Sequence, residues 1–258
     1  MHSTRFDRRF DRDSRVGLEL TLWAGAVFFV LVVFGILLAF VRARVSFVQT
    51  ADHSIANQLN TFAVHHHGLV RAMQWVSTVG APRTFWLVTA LLVVLALVRH
   101  AYRLAIWAAI TMAGAALLDV LLKNAVARSR PHFEHAVAVA PGGSFPSGHA
   151  LESFVGCAIV ILAIAPAVSA ARRRIALIAA AVVVLAIGFS RVFLGVHFAS
   201  DVVGGWIFAA GWLAATVAAF RLWRASTHLG RRGFGRDGAS PALKTGIDPA
   251  DSNRLVSS

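Results

Sequence analysis

Long apolar runs separated by short charged breaks set the reading of this chain. Six runs stand out: Leu20–Val41, Thr84–Val98, Leu104–Leu122, Ala150–Ala171, Ile175–Phe189 and Val202–Phe220. They are apolar all round rather than along one stripe, which is the pattern of membrane spans and not of surface helices. At about 1.5 Å per residue, the first is long enough to cross about 30 Å of hydrocarbon. Arg42 and Arg44 follow it directly, so it reads as an uncleaved span and not as a signal peptide. Thr84–Val98 is short and is expected to borrow length from before Pro82, with Arg83 snorkelling to the surface. Within residues 45–83, QTADHSIANQLNTFAVHHHGLVR reads as a polar loop with a surface helix, and AMQWVSTVGAP as an interfacial segment. The pattern predicts an all-α, polytopic membrane protein with six transmembrane helices. Residues 1–16 are expected to form an N-terminal tail that is disordered at its start. Residues 17–224 form the membrane domain, and residues 225–258 a disordered C-terminal tail.

Composition agrees. Of 258 residues, 57% are hydrophobic and 14% charged, against about a quarter charged in a soluble domain. The net charge of +13 would fit a nucleic-acid binder, but the cations crowd into the tails and the breaks between runs. That is how membrane topology is written, so the expected partners are the bilayer and a membrane lipid, with no nucleic acid. Six spans put the breaks alternately on two sides. One side, with both tails and the turns at 99–103 and 171–174, holds 17 of the 25 Lys and Arg. The positive-inside rule makes that side cytoplasmic, which predicts a multi-pass protein of the cell (inner) membrane with both termini cytoplasmic. The single cysteine, Cys157, allows no intrachain disulfide.

The same parity brings the 123–149 loop and the stretch SRVFLGVHFASD, residues 190–201, to one outward surface. Lys123 and Arg130 are seven apart, so on a continuing helix, stopped at Pro131, they would point the same way. Asp119 lies four residues before Lys123, where it could hold the ammonium. PSGH, residues 146–149, immediately precedes an apolar run. A helix start offers unpaired N–H groups and partial positive charge, and Gly148 lets an anion approach the backbone. The alternative is a plain cap, with Ser147 as N-cap; His149 adds a proton donor at the same place. His197 and Asp201 are four apart and would share a helix face, the carboxylate fixing one imidazole tautomer. Arg191 adds a third cation. Glu152 lies three residues after His149 and could hold that imidazole protonated, or could simply face a polar crevice. His65, His66 and His67 are adjacent, a poor spacing for one metal ion. His132 and His135 could touch substrate or merely suit a polar loop, and Gly205 with Ala209 suits close helix packing.

KNAVARSRP, PSGH and SRVFLGVHFASD resemble, in order, the three motifs K-x6-R-P, P-S-G-H and S-R-x5-H-x3-D of the type-2 phosphatidic acid phosphatase superfamily. The resemblance covers roughly residues 17–224. That superfamily also holds soluble vanadium haloperoxidases and glucose-6-phosphatase; the six spans are similar to its integral-membrane lipid phosphatases. The resemblance implies that Lys123, Arg130 and Arg191 hold phosphate oxygens, with Ser147 and Gly148 adding hydrogen bonds. It implies that His197 attacks phosphorus to form a phosphohistidine, that Asp201 orients His197 and that His149 protonates the leaving oxygen. No metal and no cofactor are expected. The implied activity is hydrolysis of a lipid phosphate or diphosphate at the outer leaflet, with undecaprenyl diphosphate, phosphatidate, phosphatidylglycerophosphate and a lipid A phosphate as candidates. A phosphotransferase using the same site is an alternative. An anion transporter is another, although transporter sites sit near the midplane and these ionisable residues sit at span ends.

Overall fold

A computed structural model describes the backbone of residues 5–233 and the side chains of residues 21–223. Among the described residues eight α-helices follow one another: α1 (Arg5–Arg42), α2 (Ser46–Val64), α3 (His67–Val79), α4 (Pro82–Val98), α5 (Tyr102–Val126), α6 (Gly148–Ile164), α7 (Ala170–Phe193) and α8 (Ala199–Gly233). No strand occurs among the described residues. Six segments of the described residues are long and apolar enough to cross a membrane: Thr21–Arg42, His67–Val98, Tyr102–Val126, Gly148–Ala167, Ala170–Phe193 and Ala199–Trp223. The chain divides into two compact units, Met1–Ala219 and Phe220–Ser258, and all the chemistry described below lies in the first.

The expected spans are present with shifted ends. The second does gain length before Pro82: α3 and α4 together make the crossing, and Pro82 takes the first turn of α4, where its missing N–H costs nothing. Residues 49–71, read as a polar loop with a surface helix, are helical except at the break between α2 and α3, residues 65–66. The basic stretch at 171–174 is not a turn. It lies in the first turns of α7, whose cap is Ser169, accepting from the Arg172 N–H. The turn falls earlier because Pro166 closes α6 in a short 3-10 helix, Ala165–Ala167. The expected tails are partly helical as well. α1 begins at Arg5 and α8 continues to Gly233, since neither stretch contains a proline to stop it. The remainder of the expected C-terminal tail, 234–258, and residues 1–4 lie outside the described residues.

Packing explains how the site is assembled. α4 packs on α5 and α6, α6 on α7, and α3 on α7. Two glycines of α8 let its start pack tightly against the start of α6 and the loop before it. A Cβ on Gly204 would sit 2.6 Å from the Phe145 ring, and one on Gly205 would sit 2.8 Å from the Ser147 carbonyl oxygen. Gly205 therefore serves packing within the chain, bringing the start of α8 against the start of α6. The Ser147 N–H donates to the Asp201 carbonyl at 2.9 Å across that contact.

Candidate active site

The polar residues gather at one end of the helices. Lys123 lies in the last turn of α5, Arg191 in the last turn of α7, Gly148 at the start of α6 and Asp201 in the first turn of α8. His197 is not on the face of a helix. It lies in the tight connection between α7 and α8, where Gly195 takes the left-handed φ of +68° and its bare Cα faces the Phe133 ring. A side chain there would be strained and would clash.

Arg130 reaches the site by a different route from the one its spacing implied. α5 stops at Val126, with Ala127 left-handed at φ 49°, so Lys123 and Arg130 do not share a continuous helix. Arg130 projects from the loop and is fixed by carbonyls. Its Nη2 donates to Pro141 and Gly143 oxygens, its Nε to Gly142, and its Nη1 to Val196 at 2.6 Å. The same Nη1 lies 3.0 Å from His197 Nε2.

These partners determine the state of His197. Its Nδ1 lies 2.8 Å from the Ser144 carbonyl, which can only accept, so Nδ1 carries the proton. Its Nε2 faces a guanidinium, which can only donate, so Nε2 presents a lone pair. The ring is 2% exposed. Burial holds its pKa down at about 4 against the ordinary 6.5, outweighing the opposite pull of Asp201, so the imidazole is neutral over the physiological range. Asp201 is not the nearest acceptor. Its Oδ2 stands 3.5 Å from Nδ1 and instead accepts from the Phe198 N–H at 2.9 Å. One N–H cannot serve two acceptors equally, and the Ser144 carbonyl holds it.

The other cations have defined settings. Lys123 Nζ pairs with Asp119 Oδ2 at 2.6 Å, and both crowd Gly148: a Cβ there would meet Asp119 Oδ2 at 2.8 Å and Lys123 Nζ at 2.9 Å. Only glycine lets the ammonium approach the start of α6 so closely. Ser147 stands at the N-cap position without a side-chain cap bond, and its buried Oγ has no hydrogen-bond partner; neither has the buried Nε of Arg191. His149, half-buried, bonds to the backbone of Ser77. Glu152 is occupied elsewhere, accepting from Trp86 Nε1 at 2.7 Å. His66 Nδ1 meets the Phe62 carbonyl at 2.7 Å and its ring stacks on Phe62. Among the described residues no group of three or more His, Cys, Asp or Glu is placed to hold a metal ion.

Several site residues escaped sequence reasoning. Arg128 bridges two buried carboxylates, Asp201 Oδ1 at 2.6 Å and Asp52 Oδ2 at 2.7 Å, while lying over the Phe198 ring. Asp52, on α2, also accepts from the Ser200 N–H at 3.0 Å. Ser77, on α3, accepts a short hydrogen bond from Arg191 Nη1. The one sequence signal for Asp52 was a carboxylate in an otherwise uncharged amphipathic stretch.

Six apolar spans with a buried histidine beside a guanidinium at one end define a multi-pass membrane protein that gathers its polar groups at one face. Residues 104–225 match the PAP2 superfamily. That match takes in a little under half of the chain. The chain is 38% identical over 94 residues to phosphatidylglycerophosphatase B of Bacillus subtilis (strain 168). That match takes in 34% of this chain and 44% of the relative, less than half of the latter's length. The fold is similar to that of the first transmembrane PAP2 type phosphatidylglycerolphosphate phosphatase from Bacillus subtilis. The TM-score is 0.65 at 24% identity, over 74% of this chain and 94% of that one.

Proposed function

We propose that the chain is a membrane phosphatase that removes a terminal phosphate from a lipid headgroup, with a phosphatidylglycerophosphate-like lipid as the leading substrate. The observation that carries this reading is the state of His197: buried, neutral, protonated on Nδ1 and presenting its Nε2 lone pair among cations. Nε2 attacks phosphorus, a P–N bond forms, and the bond to the lipid oxygen breaks. His149 gives its proton to that departing oxygen. A water then attacks the phosphorus and gives its proton to His149, the P–N bond breaks with its electron pair returning to His197 Nε2, and inorganic phosphate leaves. Lys123 and Arg191 bind the phosphoryl oxygens, together with the Ser147 hydroxyl and the N–H groups at the start of α6, while Arg130, its N–H groups held by loop carbonyls and His197, adds its positive charge beside them. Preorganised donors of this kind stabilise the charge of the transferring phosphoryl group without the work metals do in other phosphatases. The unpartnered Ser147 Oγ and Arg191 Nε support the assignment, since phosphate oxygens would satisfy both. Asp201 acts at one remove, fixing the backbone beside His197. The position of the site at span ends favours an enzyme over a transporter.

The test is phosphate release from a panel of lipid monophosphates and diphosphates by the purified chain in detergent, with EDTA present. Release from at least one lipid, inhibited by vanadate, is the expected result. Activity that disappears with EDTA and returns with magnesium would overturn the metal-free reading. The proposed outward orientation rests on the distribution of Lys and Arg. Val139, 89% exposed in the loop between α5 and α6, offers a labelling position. In a Cys157→Ser background, Val139→Cys should react with an impermeant thiol reagent in intact cells. Reaction only after the cytoplasmic side is opened would reverse the topology.

A further inference from the structure

A cavity of about 370 Å³ opens between the end of α1, the start of α2 and the chain that follows α5. Arg42, Arg44, Gln49 and His53 line one side of it, and Arg128 and Arg130 the other. The two pairs of arginines differ in commitment. Arg128 is held by Asp52 and Asp201, and Arg130 by loop carbonyls. Arg42 and Arg44 are exposed, and among the described residues neither has a carboxylate partner. Arg44 also holds a left-handed backbone at φ 51°, just past the helix end, where glycine is the usual residue.

The cavity adjoins the reacting centre through one side chain. Arg130 borders it, and Arg130 Nη1 lies 3.0 Å from His197 Nε2. An anion in the cavity would therefore stand one guanidinium away from the phosphorus that His197 attacks. Its apolar wall, which includes Phe198 and Val126, suits a lipid headgroup entering from the bilayer rather than a fully hydrated ion.

We propose that the Arg42–Arg44 cavity is a second-anion subsite. It receives a further phosphate of the same headgroup, either a phosphodiester a few atoms away or the second phosphate of a diphosphate. It thereby selects lipids with two phosphates over lipids with one. The proposal rests on the phosphatase reading above and adds to it the feature that discriminates between substrates.

The test compares kcat/KM of the full chain in neutral detergent for two lipids with matched acyl chains. Phosphatidylglycerophosphate carries a phosphodiester and a terminal phosphate, and phosphatidate carries one phosphate. In an R42Q/R44Q double variant the ratio of the two values should fall about tenfold, a modest effect per charge because both arginines are exposed. An R42K/R44K variant should recover most of it. A ratio that stays within about twofold of the unmodified chain, or equal losses on both lipids, overturns the subsite. If the double variant does not fold, R44Q alone carries the test, with an expected drop of about threefold and an unchanged ratio counting against it. Failure of the unmodified chain to release phosphate from any lipid sinks the phosphatase reading itself, and the subsite with it.

Discussion

Two regions of this molecule build one site in different ways. In the proposed reaction the stretches 123–149 and 190–201 supply the groups at the reacting centre: Lys123, Arg130, His149, Arg191 and His197. The segment 46–79 supplies groups that hold those in place: Asp52 through Arg128, and Ser77 through Arg191 and His149. Groups of the first kind need a fixed residue type at a fixed spacing, because the chemistry dictates both. Groups of the second kind need only arrive at the right point in space, and any helix that passes close enough can deliver them. The first region should govern chemistry and the second geometry, and the predictions below test that division.

The largest effect belongs to His197. His197→Ala removes the attacking nitrogen, so phosphate release should vanish on every substrate. His149→Ala should instead divide substrates by leaving group. General acid catalysis contributes about 10²–10⁴-fold, and it matters when the departing oxygen is a lipid alkoxide. An aryl phosphate whose phenolate leaves unaided should be nearly indifferent. A phosphohistidine should accumulate in the His149 variant with the aryl substrate and be absent from the His197 variant. Equal losses on both substrates in the His149 variant, with no trapped intermediate, would mean that the two roles are misassigned.

How much of this was legible before the structure follows from the same division. Span number and the gathering of the three motifs at one end of the helices could be read from apolar runs and parity alone. Individual geometry could not. Lys123 and Arg130 look like neighbours on one helix face, yet a left-handed Ala127 ends α5 between them and the loop carbonyls do the placing. His197 and Asp201 look like an i, i+4 pair, yet His197 precedes α8 and donates its Nδ1–H to the Ser144 carbonyl. Backbone carbonyls carry no sequence signature, so a site that uses them for orientation hides that part of its design. Asp52 and Ser77 were missed for a related reason: each acts on a residue far along the chain.

A smaller effect, on stability first, is expected at the Arg128 bridge. Arg128→Gln leaves the Asp52 and Asp201 carboxylates buried without their counter-ion. Breaking a buried pair in this way typically costs about 3–5 kcal/mol. Asp52→Asn keeps an acceptor for Arg128 and should cost about 1–3 kcal/mol. Thermal unfolding in detergent should rank the unmodified chain, then Asp52→Asn, then Arg128→Gln. Where the Arg128 variant remains folded at low temperature, activity should fall on aryl and lipid phosphates alike, since the bridge positions the loop and takes no proton. An Arg128 variant as stable as the unmodified chain would remove the α2 segment from the account of the site.

The smallest effect should come from Ser77, and it is the most discriminating. The Ser77 hydroxyl accepts from Arg191 Nη1, while the Ser77 backbone meets His149. Ser77→Ala therefore frees the guanidinium and leaves the His149 contact intact. A hydrogen bond to a charged group is worth about 1.5–3 kcal/mol, but Arg191 can regain part of that from phosphate oxygens or water. The expected loss in kcat/KM is about tenfold or less, with inhibition by vanadate weakened to the same degree. Because the acid is untouched, the loss should be equal for good and poor leaving groups, in contrast to His149→Ala. Ser77→Thr keeps the hydroxyl and should recover most of the activity. A loss that grows as the leaving group worsens would place Ser77 with His149 in proton transfer, and the division between chemistry and geometry would no longer follow the two regions. Unchanged vanadate inhibition would mean that Arg191 needs no support from α3.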